Sequence, residues 1–74
     1  MGNEIIYQVL IEEETTEPNV IQKLITYKFL KENEAFDFAK IKINDQNVIE
    51  IDVIKDDGKF FHPIATFKNV YHEK

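Results

Sequence analysis

The side chains of this chain that could do chemistry are chiefly 14 carboxylates, nine lysines and two histidines, with Cys, Ser, Arg and Trp absent. Their absence excludes thiolate and serine nucleophiles, cysteine metal sites and bidentate guanidinium clamps. The densest acidic segment is Glu12-Glu13-Glu14 with Glu17, and a second group is Asp52, Asp56 and Asp57. Clustered carboxylates can stand in for a row of phosphates and occupy a basic nucleic-acid groove, provided the two groups meet in space. The same residues also suit a solvated loop that keeps the chain soluble and guards a sheet edge. Asp56-Asp57-Gly58 lacks the alternating ligands and distal Glu of a calcium loop, so it reads as a hairpin turn. His62 and His72 stand ten apart, without the spacing of a metal pair. Neither glycine, Gly2 or Gly58, opens a phosphate-binding turn onto a helix. We therefore expect a non-enzymatic chain with no catalytic residues, no metal site and no cofactor.

The aromatic residues Tyr7, Tyr27, Phe29, Phe60, Phe61, Phe67 and Tyr71 raise a different possibility, a stacking platform for single-stranded nucleic acid. Such a platform also needs a basic track. Here the lysines are scattered and the net charge is −5, so nucleic acid is not the expected partner. Charge is uneven along the chain. Residues 1–20 carry five Glu and no Lys, residues 21–44 are net basic, and residues 45–58 are acidic again.

The elements that would hold these groups follow from apolar periodicity. Residues 4–12 alternate at Ile5, Tyr7, Val9 and Ile11 and read as a strand. Residues 13–19 read as a turn. Residues 20–31 fit either a helix or a strand. A helix would place Lys28 and Lys31 within its apolar stripe, whereas a strand puts Ile21, Ile25, Tyr27 and Phe29 on one face, so we expect a strand. Asn33 is a plausible N-cap for a helix with Glu34 and Asp37 in its first turn and Lys40 and Lys42 at its end. Ala35, Phe36, Ala39 and Ile43 share one side of it, with Phe38 at the margin. Residues 48–55 alternate again, and residues 59–71 return as a strand in which Pro63 marks an edge or a bulge near His62. The expected fold is α+β, a four-stranded mainly antiparallel sheet with one helix on one face (β-β-α-β-β). We expect one domain over residues 1–74, frayed at 1–3 and 72–74.

A two-residue turn at Asp57-Gly58 would set Lys55 opposite Phe60, Val53 opposite His62, Ile51 opposite Ile64 and Ile49 opposite Thr66. His62 would then be a partly buried imidazole on the Ile51/Val53 side. That register puts Val48, Ile54, Phe61 and Phe67 on the side away from Ile51, together with Glu50 and Asp52. Ile6, Leu10, Leu24 and Leu30 likewise fall opposite the main apolar rows. One short helix covers one side of a sheet, so these eight apolar residues form a candidate self-association face and the chain is expected to pair as a homodimer. No apolar run exceeds three residues, far short of the roughly 20 that span a bilayer, so no membrane role is expected and the cytoplasm is the default location.

The composition, rich in Lys, Ile and Asn and free of Arg, resembles that of short reading frames in phages and mobile elements of AT-rich bacteria. That resemblance implies a product that binds and blocks one host protein. The leading expectation is a small acidic protein-binding module of this kind. Two others stand beside it: a dimer that binds or sequesters a small ligand, and a single-stranded nucleic-acid binder using the sheet aromatics.

Overall fold

The computed structural model describes residues 4–15 and 22–69. Glu17, His72, Tyr71 and the ends expected to fray lie outside the described residues. Four strands and a helix follow in the order β1 (Ile6–Glu14), β2 (Gln22–Phe29), α1 (Glu32–Lys42), β3 (Val48–Asp56) and β4 (Phe61–Lys68). The sheet order is β2-β1-β3-β4 with every neighbouring pair antiparallel. This is the expected α+β arrangement, with segment 22–29 extended rather than helical.

β1 and β3 occupy the centre and supply most of the core. Val9, Ile11, Ile51 and Val53 are 0–1% exposed, because their alternate positions all face α1. Ala35 and Ala39, one helical turn apart, are fully buried against them. Their small side chains let the helix axis approach the sheet, while a larger ring flanks it on each side. Phe38 tilts against Tyr27 and Phe29 at 4.7 and 5.2 Å between centroids, with the Lys42 ammonium 5.7 Å from its ring. Phe36 meets Phe67 edge-on at 6.3 Å. The helix begins earlier than its sequence suggests. Lys31, still extended, precedes the first turn without a side-chain cap, and Asn33 lies inside that turn. Glu32 and Glu34 at the start and Lys40 and Lys42 at the end complement the helix dipole.

The β3–β4 hairpin departs from the expected register, for two physical reasons. First, two consecutive aspartates hold the turn one residue later. The Asp57 N–H donates to the Phe60 carbonyl, so Gly58 and Lys59 are the central pair, with Gly58 at φ 91°. Asp57 Oδ1 accepts from the N–H groups of Lys59 and Phe60, and Asp56 Oδ1 accepts from that of Gly58. Lys55 therefore faces His62, and Ile54 faces Pro63. Second, the register shifts between Val53 and Ile54, leaving Ile64 as the extra residue of a bulge beside Pro63. Beyond the bulge Val53 faces Ala65 and Ile51 faces Phe67. β4 is an edge strand and does carry the bulge that Pro63 suggested.

These shifts correct two members of the expected self-association face. Phe67 turns to the helix side, because the single extra residue reverses the alternation of β4. Val48 is fully buried in the core, because a further register shift between Glu12 and Glu13 leaves Ile49 as an extra residue on β3. His62 is corrected as well. It sits opposite Lys55 and beside Asp57, with half of its side chain exposed.

Asn69 closes the structure at the other end. It is 2% exposed, and its Nδ2 donates to the carbonyls of Ile43 and Asp45 at 2.7 and 2.8 Å. Its own N–H donates to Ile49. One amide thus satisfies carbonyls at the C-terminal end of α1 and in the following turn, and ties both to β4.

Candidate protein-binding face

The sheet face opposite α1 has no described element over it. Its composition follows from the three registers. At one end Leu24, Glu12, Glu50 and Lys68 stand side by side across β2, β1, β3 and β4. The next row is Thr26, Leu10, Asp52 and Thr66, and the one after is Lys28, Gln8, Ile54 and Pro63. At the hairpin end Ile6, Asp56 and Phe61 complete the face. Each row carries an apolar residue one strand further along, so Leu24, Leu10, Ile54 and Phe61 form a continuous diagonal, with Pro63 on one side of it and Ile6 on the other. Leu24 and Phe61, at its two ends, are each 65% exposed. Leu10 and Ile54, on the central strands, are half-buried.

Three carboxylates gather on one side of that diagonal, and Asp56 lies on the other. Glu12 and Glu50 are direct cross-strand partners, and Asp52 is the next residue on the same face of β3. The Glu50 carboxyl is held above its ordinary range, first by burial and then by the negative charge of Asp52, with Lys68 opposing. Glu12 and a hydrogen bond with Asp52 push it in the same upward direction. Asp52 Oδ1 in turn accepts from the Thr66 hydroxyl at 2.9 Å. The opposite side of the diagonal carries the donors Lys28, Thr26 and Gln8. Gln8 Nε2 donates to Asp56 Oδ2 at 3.2 Å.

The acidic residues singled out in the sequence are therefore only partly brought together. Glu12 and Asp52 meet around Glu50, a residue whose place on this face was legible but whose part in the patch was not. Asp56 shares the face at its far end and is engaged in the turn. Asp57 belongs to the turn alone. Its carboxyl is lowered to about 2, chiefly by the backbone N–H groups of Phe60 and Lys59 and then by His62, whose Nε2 lies 3.0 Å away. Glu13 faces Lys23 and Val48 on the other side of the sheet, and Glu14 ends the strand with its N–H on the Asn47 carbonyl.

The apolar residues sort similarly. Ile6, Leu10, Leu24, Ile54 and Phe61 share the open face as expected, and Leu30, 66% exposed, lies just beyond β2. Of the aromatic residues proposed as a platform, Tyr7, Phe29 and Phe67 pack against the core and Tyr27 stacks on Phe38. The described residues enclose no pocket, and no three of their His, Asp or Glu side chains are grouped to hold a metal ion. No helix among them is long and apolar enough to cross a membrane. No family model, curated protein or solved structure matches the chain.

Proposed function

We propose that the chain is a small non-catalytic protein-binding module whose working surface is the open face of its sheet. One observation carries this reading: a continuous apolar diagonal, with exposed leucine and phenylalanine at its ends, bordered by carboxylates and uncovered by any described element. Burying an exposed side chain of this size contributes roughly 1.5–3 kcal/mol, so the diagonal supplies a driving force for association. The Glu12, Glu50 and Asp52 carboxylates restrict what can dock. An apolar partner would strip their water without compensation, so the facing surface must offer cations or hydrogen-bond donors there.

The carboxylate group also favours a second reading, an inhibitor of the phage or mobile-element type that fills a basic nucleic-acid groove of a host protein. Here Glu12, Glu50 and Asp52 stand where phosphates would. The two readings share a surface and differ in what salt does to the complex, which weakens steeply with ionic strength where charge dominates.

The test anchors the chain through a cysteine introduced on the outer side of the helix, Ile41→Cys, which leaves the open face free. Defined proteins bound by this chain should be lost with Leu24→Lys and with Leu10→Lys, each checked for folding by circular dichroism. Binding that survives both variants would overturn the proposal.

A further inference from the structure

We infer that the open face docks on a second copy of the same chain, with the two-fold axis running along the Leu24–Leu10–Ile54–Phe61 diagonal. This inference rests on the face being the working surface, and it names the occupant. When two sheets stack face to face around a two-fold lying between them, the axis can run along the diagonal or across it. An axis across the diagonal would set Glu12, Glu50 and Asp52 of one copy against the same carboxylates of the other, a like-charge contact that opposes assembly. An axis along the diagonal keeps apolar residues against apolar residues and exchanges the two flanks. The three carboxylates of each copy then meet Lys28, Thr26 and Gln8 of the other, acceptors against donors. The exchange happens twice by symmetry, as an isologous interface requires.

Of the charges at the margins, Lys68 works against this arrangement. It lies beside Glu50 in the ladder, and the same spacings carry it about as near the partner copy's Lys28 as Glu50 comes, while Asp52 lies nearer. Asp56, at the hairpin end, keeps its bonds to Gln8 and to the Gly58 N–H. The ladder spacings put the diagonal at about 35° to the strands, so strands of the two copies would cross at about 70°. That lies toward the orthogonal class of sheet packing. The area is small. Four strands about 4.8 Å apart and about eight residues long span roughly 500 Å², and crossed at about 70° the two faces overlap over about three quarters of that, so the pair falls somewhat below the roughly 1,000 Å² of a specific interface. An interface of that size assembles weakly, so dimer and monomer should both be observable across a concentration series.

Sedimentation of the full chain across that series tests the inference with a charge exchange. Lys28→Glu and Glu50→Lys should each weaken self-association, by about tenfold or more, because each sets like charges together at both symmetric contacts. An equimolar mixture of the two should recover wild-type affinity, since every contact in the mixed dimer again joins opposite charges. A wild-type chain that stays monomeric throughout would overturn the second copy as occupant and leave the face for another protein. A dimer broken by Leu24→Lys but not recovered by the mixture would overturn the axis while upholding the face. A dimer indifferent to both Leu24→Lys and Leu10→Lys would overturn the inference and the proposed working surface together.

Discussion

The two faces of one sheet are made by the same strands, yet they differ in kind. On the helix side Val9, Ile11, Ile51 and Val53 sit under Ala35 and Ala39 with no exposure beyond 1%. On the other side Leu10 and Ile54, immediate neighbours of those residues in sequence, stand among Glu12, Glu50, Asp52, Lys28 and Gln8. A face built only to meet water would carry polar residues at these central positions, and a face built to be covered from within would not hold carboxylates. The mixture suits a surface that is solvated part of the time and docked the rest.

The contrast is broken most forcefully by truncating matched isoleucines on β3. Ile51→Ala removes a fully buried side chain and should cost about 2–5 kcal/mol, comparable with the roughly 3–5 kcal/mol that a single small core supplies. Urea unfolding should find that variant largely unfolded without denaturant. Ile54→Ala, three residues away on the open face, should remain folded in dilute solution. Equal losses at the two positions would mean that the faces are not distinct.

A smaller effect separates the ends of the molecule. Asn69→Leu leaves the Ile43 and Asp45 carbonyls without their buried donor, for an expected loss of about 1–3 kcal/mol. Amide exchange should quicken first at the end of α1 and in the turn before β3.

At the hairpin the signature is a pH dependence. Asp57 has a folded-state value of about 2, below its ordinary value of 3.8, so its contribution is complete above about pH 4 and is lost as pH falls toward 2. Asp57→Asn retains an acceptor for the Lys59 and Phe60 N–H groups but cannot ionise. Stability of the variant should therefore fall less between pH 4 and 2 than that of the wild type.

The smallest change belongs to Glu50, whose shift has the opposite sign. A carboxyl raised above 4.5 on folding lowers stability at neutral pH, and the penalty disappears as the group protonates. In dilute protein Glu50→Gln should raise the urea midpoint slightly at pH 7 and leave it unchanged below pH 4.5. A lowered midpoint at pH 7 would show that the carboxylate is favourably held in the monomer.

Much of the architecture was legible because alternation is a strong signal where one face is buried. Tyr7, Val9 and Ile11 mark β1, and the conflict between Lys28 and a helical stripe resolves β2 as a strand. Ala35 and Ala39 were visible as the inner side of α1, and Pro63 as an edge residue. The hairpin register was not legible, because Asp56 and Asp57 each bond their own turn and displace its centre by one residue. The extra residue at Ile64 then reverses the facing of Phe67, and periodicity alone carries no mark of it. The site was legible in outline, as a face with Leu10 and Ile54 uncovered. Glu50 was hidden as a member of the patch because its partner Glu12 lies on another strand. Asn69 gave no signal, since its role depends on carbonyls more than 20 residues away.

The central claim is that a second copy of the chain covers the open face, and methyl accessibility to a soluble paramagnetic probe tests it directly. As protein concentration rises, the methyl groups of Leu10, Leu24 and Ile54 should become shielded, while those of Ile41, 69% exposed on the helix, remain accessible. Uniform accessibility of all four residues at every concentration would contradict the account.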